Sequence, residues 1–167
     1  MAAEDRLRAW AARQGVRVTL LRAPGIYTET RLPLERIKQG TPVLVPDDDV
    51  FTNHIHADDL ARAAVAAIFR GLPNRAYNVT DDAEMKMGAW FDAVADAFHL
   101  PRPPRVTWEE AEQRIAPMLL TFMSESRRLV NRRMKDELRV RLAFPTPQAM
   151  LAHVAPRELK KQLPLAL

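Results

Sequence analysis

The sequence predicts an α/β fold, and three observations carry the prediction. Residues 2–14 place Leu7, Trp10 and Ala11 at helical spacing and lead directly into the strand-like run Val16-Arg17-Val18-Thr19-Leu20-Leu21. An extended run at 51–55, a helical stretch at 59–70 and the buried-type strand Ala76-Tyr77-Asn78-Val79 continue the alternation. After Pro101 the tendency is helical throughout.

Each element has its own local signal. Gly15 is the residue expected just past the end of the first helix. No N-cap, turn or strand precedes that helix, so it reads as the tail of a longer helix cut in mid-run at Met1. Pro24-Gly25 stop the first strand, residues 32–39 form a short helix ended by Gly40, and residues 42–46 are extended before the acidic turn Asp47-Asp48-Asp49. Asp58 is placed to cap the 59–70 helix, where a carboxylate accepts from unpaired backbone N–H groups and meets the positive end of the helix dipole. Gly71 closes it. Residues 87–98 form an amphipathic helix with Trp90, Phe91, Val94 and Phe98 on its core face, and this group with Met85 and Met87 has the spacing of a packed helix rather than of a cofactor box. Leu100-Pro101-Arg102-Pro103-Pro104 is an extended connector. Beyond it, Thr107-Trp108-Glu109-Glu110 fits a capping box, Pro117 interrupts the helix it opens, Asn131 caps residues 132–138, and Thr146-Pro147 start a last helix to about Val154 with a frayed tail at 156–167.

Composition excludes several classes. A hydrophobic share of 47% and a charged share of 28% over 167 residues are those of a globular chain with one core. There is no secretory signal and no apolar run near the ~20 residues of a bilayer span, so a cytoplasmic protein without a membrane partner is expected. With no cysteine the chain has no disulfide, thiolate zinc site or cysteine nucleophile. The net charge of +4 admits an anionic ligand without specifying one.

Two absences bear on chemistry. The glycines at 15, 25, 40, 71 and 88 are too far apart for a Gly-x-Gly-x-x-Gly turn or a phosphate-cradling loop. Four residues after Tyr27 and Tyr77 stand Arg31 and Asp81, so no phenol has the lysine one helical turn on that lowers its pKa for proton transfer. No catalytic residue is assigned.

The order Gly15 to Arg22, Pro24-Gly25-Ile26-Tyr27, His56-Ala57-Asp58-Asp59-Leu60-Ala61 and Tyr77-Asn78-Val79-Thr80-Asp81-Asp82, continued by Ser126-Arg127-Arg128 and Phe144-Pro145-Thr146, resembles the extended or atypical short-chain dehydrogenases/reductases. These are the NAD(P)-dependent epimerase/dehydratase-like proteins, and the resemblance covers their carboxy-terminal half. It implies a partial Rossmann-like, doubly wound sheet remnant with a mainly helical carboxy-terminal substrate-binding part. Residues 1–100 would be the end of a Rossmann-like domain lacking its amino-terminal half, and 101–167 a helical substrate-side region packed on it. The family's Tyr-x-x-x-Lys helix would fall just upstream of Met1. By the same resemblance Pro24, Gly25, Ile26 and Tyr27 pass along the nicotinamide end of NAD or NADP, a cofactor that this chain alone is not expected to bind. Arg36, Asn53 and Arg128 are then substrate-side candidates, for a small molecule such as a nucleotide-sugar or another anionic compound. Self-association, or pairing with the missing amino-terminal half, is the expected protein contact.

Other readings of the same residues are weaker. His54, His56 and Asp58 alternate along a strand as metal ligands do, but Asp58 has a capping role and no distant His or Glu cluster completes a site, so histidines tying the strand end to its loop are expected. The basic run from Arg127 to Arg141 is diluted by Asp136 and Glu137 and reads as a solvated face before it reads as a nucleic-acid surface. Ser124 and Ser126 lack a Gly-x-Ser-x-Gly elbow. The alternative function is a non-catalytic binding or scaffold domain for an anionic ligand or protein partner.

Overall fold

The computed structural model describes the backbone of residues 2–162 and the side chains of residues 3–154. Helix α1 (Ala2–Gln14) ends at Gly15, whose φ of +63° is the left-handed value that glycine adopts without strain. The first strand is shorter than its composition predicts. Only β1 (Leu20–Arg22) joins a ladder, because Val18 O already accepts from Asn74 N in the turn alongside it.

Pro24 then divides what would be one long strand. β1 pairs in parallel with β6 (Ala76–Asn78), whereas β2 (Gly25–Tyr27) pairs in parallel with β5 (His54–His56). Proline has no N–H to give a ladder, so the partner changes where the donor is lost. The extended run at 51–55 is divided as well, with β4 (Phe51–Thr52) antiparallel to β7 (Met85–Lys86). Asn53 lies between the two pieces.

Helix α3 (Ala57–Arg70) connects β5 to β6. Its N-cap is His56, not Asp58. His56 Nδ1 accepts from Asp58 N at 3.3 Å, and the exposed Asp58 stands in the first turn. An imidazole nitrogen on the last strand residue reaches the first free N–H before a carboxylate inside the helix can. Gly71 does close α3, donating its N–H to Ala67 O.

α2 (Leu34–Lys38), β3 (Val43–Leu44) and α4 (Met87–Ala97) follow the predicted order. Thr107 forms the expected capping box with Glu110 at the start of α5 (Trp108–Arg114), and Pro117 opens the separate helix α6 (Pro117–Met123). The region after Pro101 is not helical throughout. Its connector ends in β8 (Arg105–Val106), which pairs in parallel with β3. Asn131 makes no cap for α7 (Arg132–Asp136), because its amide donates instead to Thr80 O, Asp81 O and Asp82 Oδ1. Helix α8 (Pro147–Gln162) begins with Thr146 Oγ1 accepting from Ala149 N and continues beyond Val154; the predicted frayed tail lies outside the described residues from 163 on.

Three apolar clusters hold these pieces together. Tyr27, Ile37, Trp90, Phe91, Val94, Met150 and Leu151 join β2, α2, α4 and α8. Ile55, Ala63, Tyr77, Val79, Met134 and Leu138 hold α3 and α7 against β5 and β6. Leu44, Val106, Ala111, Ile115 and Met123 fix α5 and α6. Among the described residues, no helix is long and apolar enough to cross a membrane.

Candidate functional site

Two adjoining cavities open where β2 and β5 meet α4 and α6. One, of about 610 Å³, is lined by Arg22, Pro24, Gly25, Asn53, Arg127 and Leu129 among others. The second, of about 400 Å³, is lined by Tyr27, Arg36, His54, Trp90, Phe91 and Phe122 among others. Gly25, Thr52, Met87 and Phe122 are common to both. Gly25 permits the close packing there: a Cβ on it would stand 3.2 Å from Asn53 O and 3.4 Å from His54 Cδ2.

The predicted turn residues Pro24, Gly25, Ile26 and Tyr27 therefore wall a real cleft. Asn53 lines the first cavity, but its amide is engaged. Nδ2 donates to Arg127 O at 2.7 Å and Oδ1 accepts from Leu129 N at 2.8 Å, so the side chain sews residues 127–129 to the end of β4. Arg128 lines neither cavity. Its guanidinium lies 4.4 Å from the centre of the Phe51 ring and pairs with Glu84 at 3.2 Å. Arg36, in contrast, lies in the second cavity, with its guanidinium 4.6 Å from the Phe91 ring centre. Its Nε and Nη2 are buried and have no hydrogen-bond partner among the described residues, and burial lowers its pKa.

Beneath this cavity Tyr27, His54 and His56 meet Asp81, to which the sequence assigns no role, in a buried polar group. Tyr27 is 5.4 Å from His56 and 5.6 Å from Trp90, ring centre to ring centre, and His54 is 5.0 Å from Trp90. Burial pushes the His54 pKa down to about 4, so the ring is neutral at pH 7. Burial, reinforced by the charges of Asp82 and Asp59, pushes Asp81 up to about 7, against the hydrogen bond that its Oδ1 accepts from Ala83 N. Tyr27 is raised by burial first and by Asp81 second. Neither Tyr27 OH nor Asp81 Oδ2 has a hydrogen bond of ordinary geometry, so this pair is polar, buried and incompletely satisfied. The histidines do tie the strand end down, as His56 caps α3 and packs 4.4 Å from the Phe144 ring. Among the described residues no group of three His, Asp or Glu side chains is arranged to hold a metal ion.

A dinucleotide fits this site only in part. The bare backbone at Gly25 suits a flat ring, but a pyrophosphate needs free cations or a row of N–H donors. Arg22 at the first cavity is already paired with Glu4 at 2.7 Å and Arg127 with Glu125 at 2.8 Å.

No protein-family model and no functionally curated protein matches the chain. Solved structures do. A conserved protein of unknown function from Silicibacter pomeroyi superposes with a TM-score of 0.76 at 29% identity, over 89% of this chain and 51% of its own. The human epimerase family protein solved with NADPH superposes at 0.67 and 14% identity, over 84% of this chain and 49% of its own. UDP-glucose 4-epimerase from Thermotoga maritima, solved with UDP-glucose, superposes at 0.67 and 18% identity, over 96% and 52%. The structural neighbours of this chain are thus epimerase and dehydratase proteins, several of them solved with NADPH or NAD, and its Rossmann-like α/β fold is theirs. It spans about half the length of each.

Proposed function

We propose that the chain is the substrate-side, carboxy-terminal half of an NAD(P)-dependent oxidoreductase of the epimerase/dehydratase type, acting in the cytoplasm. The observation that carries this reading is the pair of adjoining cavities that share Gly25, Thr52, Met87 and Phe122, with the predicted turn Pro24 to Tyr27 in their walls. The cofactor supplies the hydride chemistry when bound. This chain's part is to flank its nicotinamide end with Pro24, Gly25, Ile26 and Tyr27, and to place a substrate in the adjoining cavity against Arg36. Asn53 and Arg128 act as positioning residues: one holds segment 127–129 to the cavity wall and the other covers Phe51. The pyrophosphate grip and the proton-transfer pair belong to a complementary α/β unit, which would join at β1, a strand hydrogen-bonded to β6 alone among the described residues. On this reading residues 1–100 carry most of the sheet, and the part from 101 on adds β8 to β3 and brings Leu119 and Phe122 to the substrate side.

Nicotinamide mononucleotide is the test ligand. At millimolar concentration it is expected to shift the amide resonances of Gly25, Ile26 and Tyr27, and Gly25→Val, whose Cβ would press on Asn53 O at 3.2 Å and His54 Cδ2 at 3.4 Å and so part β2 from β5 at the junction, is expected to abolish the shifts at Ile26 and Tyr27. A non-catalytic scaffold predicts no such shifts, and their absence would sink the proposal.

A further inference from the structure

We propose that the cavity between Tyr27 and Arg36 binds a small apolar acid, with a single carboxylate paired to Arg36 and an aromatic or aliphatic body between Trp90, Phe91 and Phe122. The inference rests on the reading of this cavity as the substrate side and narrows the substrate class.

The first ground is charge. Even the more exposed guanidinium groups of Arg22, Arg75 and Arg105 each have a carboxylate partner, in Glu4, Glu137 and Asp92. Arg36 has none among the described residues, although two of its nitrogens are shielded from water. A guanidinium in such a place keeps its proton, with two of its nitrogens out of reach of water and no counter-charge beside it among the described residues, an arrangement that an incoming oxyanion relieves. No acidic residue lines the cavity, so nothing in its wall competes for that role. Arg31 lines it too, but is exposed, and water already screens its charge. One buried positive charge balances one negative charge, whereas a diphosphate brings at least two.

The second ground is the wall. Leu32, Met87, Trp90, Phe91, Leu119 and Phe122 give it an apolar, largely aromatic surface, and its volume of about 400 Å³ is ample for a compact organic acid. Its polar side chains besides the two arginines are Tyr27, Thr52 and His54. A sugar displays several hydroxyls, each of which needs a partner once buried, and this wall cannot satisfy them. Phe122 is 62% exposed at the mouth, an apolar side chain that a bound hydrocarbon body would cover.

The test is a titration of the full chain, followed by the Trp90 indole and backbone amide resonances, with 4-phenylbutyrate, its neutral amide, and UDP-glucose. The acid is expected to bind at least about tenfold more tightly than the amide and to shift Trp90. Arg36→Gln is expected to bring acid and amide within about twofold of each other, while Arg31→Gln keeps the preference. Phe122→Ala, at an exposed site that folding does not depend on, should weaken acid and amide alike, so the conclusion does not hang on one variant. Three results would each overturn the inference: equal binding of acid and amide (no binding of either at about 10 mM included), a preference that survives Arg36→Gln, or tighter binding of UDP-glucose than of the acid. A dinucleotide titration decides the half-enzyme reading separately. Loss of acid preference with no NADPH binding removes only the present inference, and acid preference with micromolar NADPH binding removes only the other.

Discussion

Asp59 is fully buried at the start of α3, and both its oxygens are used: Oδ1 accepts from Ala143 N at 2.8 Å and from Arg62, and Oδ2 accepts from Phe144 N at 2.9 Å. Asp59→Ala leaves two backbone N–H groups facing a hole, and urea denaturation is expected to show a loss of roughly 2–4 kcal/mol. Asp81 and His54 make opposite contributions to stability against pH. The Asp81 pKa is raised from its usual 3.8 to about 7 in the fold, so between those values the native state holds the proton more tightly and stability falls as pH rises. The His54 pKa is lowered from 6.5 to about 4, so over that window the unfolded state binds the extra proton and stability grows with pH. In the parent protein the two slopes largely cancel. Asp81→Asn exposes the difference: its stability relative to the parent should climb by on the order of 2–4 kcal/mol from pH 4 to pH 7 and level off above, as measured by chemical denaturation across pH. A pH-independent difference would contradict the assignment. The residue types here were legible and their partners were not. Asp58 and Asp59 are adjacent acids, and that Asp59 is the one buried depends on a loop 84 residues further along the chain.

At the scale of elements, the signals that are local in sequence held, the Asp58 and Asn131 caps excepted. Thr107 and Glu110 close the capping box within four residues, and Thr107→Ala should cost about 1 kcal/mol of stability, read as a shift in the urea midpoint at constant slope. Gly15 marks an end by its left-handed φ, Gly71 by leaving no room for a Cβ, which would run into Ala67 O, and Pro117 a start at the first position of α6. The signals that failed depend on partners. The run 16–21 has a strand's composition, but only the part facing residues 76–78 finds a ladder. Arg105 and Val106 pair with Val43 and Leu44 from across the chain, so β8 has no periodicity of its own to announce it. The cavity was half legible for the same reason. Pro24 to Tyr27 are contiguous and readable, whereas Leu119 and Phe122 come to the cavity by tertiary packing.

At the scale of the whole molecule, among the described residues β1 is hydrogen-bonded to β6 alone, although parallel sheets are normally flanked and covered. The elements beside it leave apolar side chains in water: Phe69 is 80% exposed, Ile68 72%, Val65 57%, and Trp10 on α1 50%. A patch of that kind marks a contact surface. In isolation the chain should self-associate or bind a hydrophobic dye, and sedimentation velocity should show a concentration-dependent species; Ile68→Glu with Phe69→Lys should shift it toward monomer. A stable monomer silent to the dye would argue against a missing neighbour. The most direct test of the central claim, that this polypeptide presents a substrate to a cofactor it does not itself grip, is a fluorescence titration of the isolated chain with NADPH. No saturable binding through about 100 μM is the expected result, and a dissociation constant in the low micromolar range would contradict it.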